Sequence, residues 1–294
     1  MILKDWVYIN NLDWNWLSEN PNAIHLLQQN LDKINWSMLS SNPNAIHLLE
    51  QNLDKIDWHW LSDNPNAIQL LEQYPDKINW WSLSQNLNAI DLLEQNLDKV
   101  NWEMLSYNPN AIHLLEQYPE KIQWDWLSAN PNAIHLLEQN LHKINWDILS
   151  RNRNAIHLIK QHLDKINWSE LSSNPNAIHQ LEQHVDKINW SALSKNPNAI
   201  HLLEQYPEKI HWDWLSANSN AIHIIQQYPE KNWYILSRNP NIFTYDYDRL
   251  SIEKRELHRE FIEYFWNPKT IQTFCIKHGY NEEEDFIEIY SNCF

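Results

Sequence analysis

Only one glycine, Gly279, occurs among 294 residues. A glycine-rich phosphate loop therefore cannot form in the first 278 residues, which removes nucleotide-binding readings that depend on one. Strand-rich folds also lean on glycine turns, so its scarcity favours helices joined by Asn and Pro. Cysteine is almost as rare. Cys275 and Cys293 both lie near the end, so no disulfide framework is implied and a reducing compartment fits. No apolar run approaches the roughly 20 residues of a membrane span, and the N-terminus lacks a signal-peptide pattern. Positive charge is in deficit, with 22 Lys and Arg against 38 Asp and Glu, a net charge of −16. That argues against nucleic acid as a partner, because phosphate contacts need clustered Lys and Arg.

What the chain has in abundance is one sentence, repeated. Trp14, Trp36, Trp58, Trp80, Trp102, Trp124, Trp146, Trp168, Trp190 and Trp212 are spaced by 22 residues, and Trp233 follows after 21. Counting Trp as position 1, the unit reads W-x-x-L-S-x-N-P-N-A-I-H-L-L-E-Q-N-L-D-K-I-N. Ten units follow one another, and a truncated eleventh, "WYILSRNPNIFTYDY", leads out. Self-similarity at such a period signals a stacked array.

Each unit is expected to hold two helices. Asn or Asp at position 22 suits the cap of a short helix begun by Trp. Asn at position 7 followed by Pro reads as the start of a second helix of about ten residues. At 100° per residue, Ala, Ile, Leu and Leu at positions 10, 11, 13 and 14 share one arc, opposite Asn, His, Glu and Gln at positions 9, 12, 15 and 16. No unit can bury its apolar arc alone, so neighbours must stack. The corner varies in a coupled way. Where position 18 is Pro (Pro75, Pro119, Pro207, Pro229), position 17 is Tyr (Tyr74, Tyr118, Tyr206, Tyr228); where it is Leu or Val, position 17 is Asn or His. The Tyr is expected to replace apolar area lost with the Leu.

Several ladders invite functional readings. His25, His47, His113, His135, His157, His179, His201 and His223 recur at position 12. Layers of helices lie roughly 10 Å apart and Zn–N bonds are about 2 Å long, so successive His residues are not expected to share an ion. The Trp ladder at position 1 reads as core rather than as an aromatic platform, given Leu and Ile beside it. The Asn ladders at positions 7 and 9 are explained by capping and hydrogen bonds between units. "CIKH" (Cys275, His278) offers two ligand types and no partner pair. The sequons at Asn35, Asn167 and Asn189 fall on helix caps.

Variable positions 2, 3 and 6 are the better candidates, because they lie at the exposed end of the short helix. The residues singled out there for a partner-binding surface are Trp16, Trp60, Trp81, Tyr107, Trp126, Arg151, Lys195 and Trp214. The four tryptophans at position 3 (Trp16, Trp60, Trp126, Trp214) are either secondary core or partner anchors, with packing the preferred reading.

After the array, "DYDRLSIEKRELHREFIEYFWNPKTIQTF" abandons the 22-residue register. It reads as a helical cap over the last unit, with a docking module as the alternative. The units, such as "LSSNPNAIHLLEQNLDKIDW", and the exit "LSRNPNIFTYDYDRL…ELHREFIEYFWNPKTI" together resemble the short-repeat proteins that giant DNA viruses such as mimivirus and its relatives encode in multiple copies. The resemblance covers Trp14 to about Gln272. One departure is Asn267, which stands where the family usually has His before the Pro. The resemblance offers no catalytic residue to carry over, and implies a viral protein acting in the host-cell cytoplasm or carried in the virion. A weaker likeness, "NPN" after a small helix, is to leucine-rich-repeat-variant solenoids.

The expectation is an all-α fold: a right-handed, curved α-solenoid of about ten two-helix repeats, roughly 100 Å long. An N-terminal cap segment would span 1–13, the array 14–243, and a C-terminal cap or docking module 244–294. The function expected is a non-enzymatic, monomeric, protein-binding scaffold or adaptor, without cofactor, metal, nucleic acid or membrane. The alternatives are a structural virion strut or ruler and, on architecture alone, a ubiquitin-ligase-type substrate adaptor.

Overall fold

The computed structural model describes residues 1–228, 231–247, 250–252 and 254–256. One compact unit comprises Met1 and Leu3–Thr244, and Ile2 with the residues from Tyr245 onward forms another. Of the cap or docking module expected at 244–294, only 244–247, 250–252 and 254–256 are described; Cys275 and His278 lie outside the described residues, as does Pro229.

The array is an all-α repeat solenoid. Eleven first helices begin at the register tryptophans, from Trp14–Glu19 to Trp233–Leu236, and ten second helices run from Ile24–Gln28 to Ile222–Gln227. The first helix starts where expected: the side chain of Asn35, for example, accepts the Met38 N–H at 3.1 Å. Gln123 and His211 hold this place without a side-chain cap bond.

The second helix differs from expectation. It has five or six residues, not about ten, and begins at position 11, with Ala at its N-cap. Asn at position 7 instead closes the first helix. Asn64 is extended, at φ −70° and ψ 117°, the region into which a following proline drives a residue. Its Oδ1 accepts the Asn66 N–H at 3.1 Å, so NPN forms a side-chain-closed turn between the helices. Asn86 takes the same shape before Leu87, so proline favours the turn but is not required. A third element, a single 3-10 turn at positions 18–20, recurs at Leu31–Lys33, Pro75–Lys77, Val185–Lys187 and elsewhere. Helical periodicity could not reveal so short a piece.

The core repeats with the sequence. Leu at position 4 is fully buried in every unit, as are Ala at position 10 and, in nine of ten units, Leu or Ile at position 14. Fully burying one leucine is worth roughly 1.5–3 kcal/mol. Beside this apolar seam runs a buried polar one. Nδ2 of Asn42 donates to the carbonyls of Ser18 and Asn20 in the preceding unit, both at 3.0 Å. Asn64, Asn86, Asn108, Asn130, Asn152, Asn174, Asn196, Asn218 and Asn239 repeat the pair. A parallel ladder joins position 9 to the carbonyl at position 8 of the unit before, as Asn66 Nδ2 does to Pro43 at 2.8 Å.

The ends of this ladder meet. Asn20 of the first unit donates to the carbonyls of Ser237 and Asn239 in the eleventh, at 3.0 and 3.1 Å. Asn22 donates to the Pro240 carbonyl at 2.9 Å. The Asp13 N–H reaches Ser237 Oγ at 2.8 Å, as the Asn35 N–H reaches Ser18 Oγ at 3.0 Å. The curved solenoid, expected to extend roughly 100 Å, thus closes into a ring.

The eleventh unit is split between the two ends of the chain. Its front half, Trp233 onward, ends in a 3-10 turn, Pro240–Ile242, and a strand, Phe243–Thr244, that pairs with the strand containing Leu3. Lys4 N–H also bonds the Ile242 carbonyl at 3.0 Å. The back half is supplied by the N-terminus: Ile9–Asn11 forms the 3-10 turn, buried Leu12 stands at position 21, and Asp13 caps the first unit. Residues 1–13, read from sequence as a cap, complete a unit.

Candidate binding row on the first helices

Successive first helices pack against one another around the array, which brings positions 2, 3 and 6 into a continuous row. The row follows a rule of neighbours: position 6 of one unit meets position 3 of the next. Arg151 pairs with Glu170 at 2.6 Å. Lys195 Nζ sits 3.3 Å from the Trp214 ring centroid. Tyr107 meets Trp126 edge to face at 6.5 Å. Across the closure Arg238 lies 5.2 Å over Trp16 and pairs with Glu19 at 2.6 Å.

Each candidate can therefore be placed. Trp16 is half-buried, packed by Arg238 and by Tyr234 at 5.6 Å. Trp60, Trp81, Tyr107, Trp126 and Trp214 are exposed by 37–45%, far more than core packing allows. Arg151 and Lys195 are exposed but engaged by Glu170 and Trp214.

Two participants were not singled out in sequence. His59 stacks on Trp81 at 6.0 Å, with planes 13° apart, and touches Trp60 at 5.4 Å. Its place at variable position 2 was the available signal. Asp63, at position 6, is largely shielded, and burial pushes its carboxyl above the ordinary value of 3.8, opposed by a hydrogen bond from Gln85 and by the charge of His59.

The other ladders are engaged within the ring. His113, His135, His157, His201 and His223 each meet a Glu at position 15 of the preceding unit, at 2.6–3.1 Å. Among the described residues no group of three or more His, Cys, Asp or Glu could hold a metal ion. The position-1 tryptophans are partly buried against the core, and a second group commonly covers the exposed face. In the four units with Tyr at position 17 that group is the Tyr: Trp58 with Tyr74, Trp102 with Tyr118, Trp190 with Tyr206, and Trp212 with Tyr228, at 3.5–5.5 Å. In the others it is a Lys at position 20, such as Lys33 over Trp14 or Lys143 over Trp124, at 4.6 and 4.3 Å. The Tyr-Pro and Asn-Leu corners are thus two ways of shielding one tryptophan. Asn35, Asn167 and Asn189 of the sequons spend their side chains on helix caps.

No helix among the described residues is long and apolar enough to cross a membrane. The chain matches no protein-family model, no curated protein and no solved structure.

Proposed function

We propose that the protein is a non-enzymatic binding scaffold whose contact surface is the row of positions 2, 3 and 6 on the first helices. The observation that carries this reading is the run of exposed aromatics on four consecutive units: Trp60, Trp81, Tyr107 and Trp126. Large aromatics left in water on a rigid frame are the groups that anchor protein interfaces. The frame is stiffened by paired asparagines at every step, so a partner meets a surface already ordered. Closure also favours a scaffold over a strut, since a ring offers no open end to extend. The partner proposed is a protein of an infected cell, the setting that the resemblance to giant-virus repeat proteins implies.

The test is affinity purification from such cells with the wild-type chain and a Trp60→Ala/Trp81→Ala/Trp126→Ala variant of equal thermal stability. The expected result is a partner retained by the wild type and lost by the variant. Identical partner sets would remove the row from the function.

A further inference from the structure

The row shows within itself what its tryptophans take. At two position-3 tryptophans the ring fills the site with its own cation from position 6 of the unit before: Lys195 over Trp214 and Arg238 over Trp16. Trp60 occupies the equivalent place, but position 6 of the unit before it is Ser41, whose hydroxyl turns back to the Met38 carbonyl at 2.9 Å. No cation lies over Trp60, Trp81 or Trp126 among the described residues, although a Lys or Arg covers nine other tryptophan rings there, as Lys55 does Trp36. Charge points the same way. Positions 2, 3 and 6 of these four units hold no Lys or Arg but carry Asp63, Glu103 and Asp125. Glu103 is exposed and has no ion pair among the described residues, and Asp125 receives only the Asn145 amide, at 2.9 Å.

We infer that this stretch binds a basic protein segment, seating a Lys or Arg side chain of the partner on Trp60 as Lys195 is seated on Trp214, and a second on Trp126, with Glu103 and Asp125 facing the intervening charges. The cation is held by the ring quadrupole and the carboxylates together. Three unit steps separate the two tryptophans, on the order of 30 Å at about 10 Å per helical layer, a span that an extended segment of roughly nine residues covers. This inference rests on the row being the binding surface and names the chemistry of what it binds.

The experiment is fluorescence anisotropy of the full chain with three labelled dodecapeptides, alternating Lys-Ser, Arg-Ser and Glu-Ser. The Lys or Arg peptide should bind and the Glu peptide should not. Ser41→Lys supplies an internal cation for Trp60 and removes only the Ser41–Met38 hydrogen bond, and should weaken binding by roughly five- to tenfold, the scale of one partly desolvated cation–π contact. Trp60→Ala and Trp126→Ala should each do the same, while Gln28→Ala, exposed on a second helix outside the row, should leave binding unchanged. Basic peptides that bind all four variants alike would show diffuse attraction to a chain of charge −16 and overturn the inference. So would equal binding of the acidic peptide, or no binding. If the basic peptides fail while purified partners still depend on the row, the chemistry assigned here is wrong and the binding surface stands; if that dependence fails too, both fall.

Discussion

A single asparagine shows how much one side chain does in this molecule. Asn130 is fully buried, donates to Ser106 and Asn108 of the unit before at 3.0 and 2.9 Å, and accepts the Asn132 N–H at 3.0 Å. Alanine there strands the Ser106 carbonyl and the Asn132 N–H and leaves the Asn108 carbonyl only the Ala111 N–H, so Asn130→Ala should cost about 3 kcal/mol, against about 1 kcal/mol for the exposed Asn132→Ala. Equal losses in chemical denaturation would contradict the buried ladder. Gln180 is the reverse case. It replaces Leu at position 13, is 4% exposed, and leaves its Oε1 without a hydrogen-bond partner. Gln180→Leu restores the repeat and should add about 1–3 kcal/mol of stability. A destabilised variant would mean that the amide is satisfied in solution. Asp63 supplies a pH dependence. Its raised pKa means that the folded state holds the proton more tightly than the unfolded state. That stabilisation is complete below the ordinary value of 3.8 and is lost as pH rises through the raised one. Asp63→Asn should therefore gain thermal stability over the wild type as pH rises through the range just above 3.8, with the difference levelling off near neutrality. A difference that does not change across that range would defeat the assignment.

At the scale of elements, no helix in the array exceeds six residues, shorter than any isolated helix stable in water. Caps, NPN turns and neighbours hold them, so the weak point is wherever a neighbour can be lost. That point is the closure, where the N-terminal segment completes the eleventh unit through Leu12, Asp13 and the Trp6–Trp233 contact at 6.3 Å. Two indole N–H groups buried without partners, on Trp6 and Trp16, also lie there. Deleting residues 1–12 should reduce hydrogen-exchange protection at both ends at once, around Trp14–Glu19 and Trp233–Leu236, with the units near Trp124 least affected. Loss confined to the first unit would indicate a simple N-terminal cap.

For the whole array, closure sets distances that an open rod would not. Units 1 and 10 are two steps apart around the ring and nine along the chain. Spin labels at exposed Gln29 and Gln227, with both cysteines replaced by serine, should report about 20–35 Å in the ring against about 90 Å in a rod of 10 Å layers. The longer distance would break the ring.

The sequence by itself determined the unit. The 22-residue register, the first helix with its Asn cap, the buried Leu and Ala positions and the outward His and Glu all follow from residue type and helical period. The length of the second helix was not legible, because Asn-Pro reads equally as a helix start and as an extended turn, and only the carbonyls of the neighbouring unit decide for the turn. The candidate row was legible as variability, but exposure could not be: Trp16 and Trp60 are the same residue at the same position, and a neighbour's Arg238 or Ser41 makes one shielded and the other open. Closure lay furthest from view. Curvature per unit is a small angle set by packing, and only its sum over eleven units determines whether Asn20 meets open water or the carbonyls of Ser237 and Asn239.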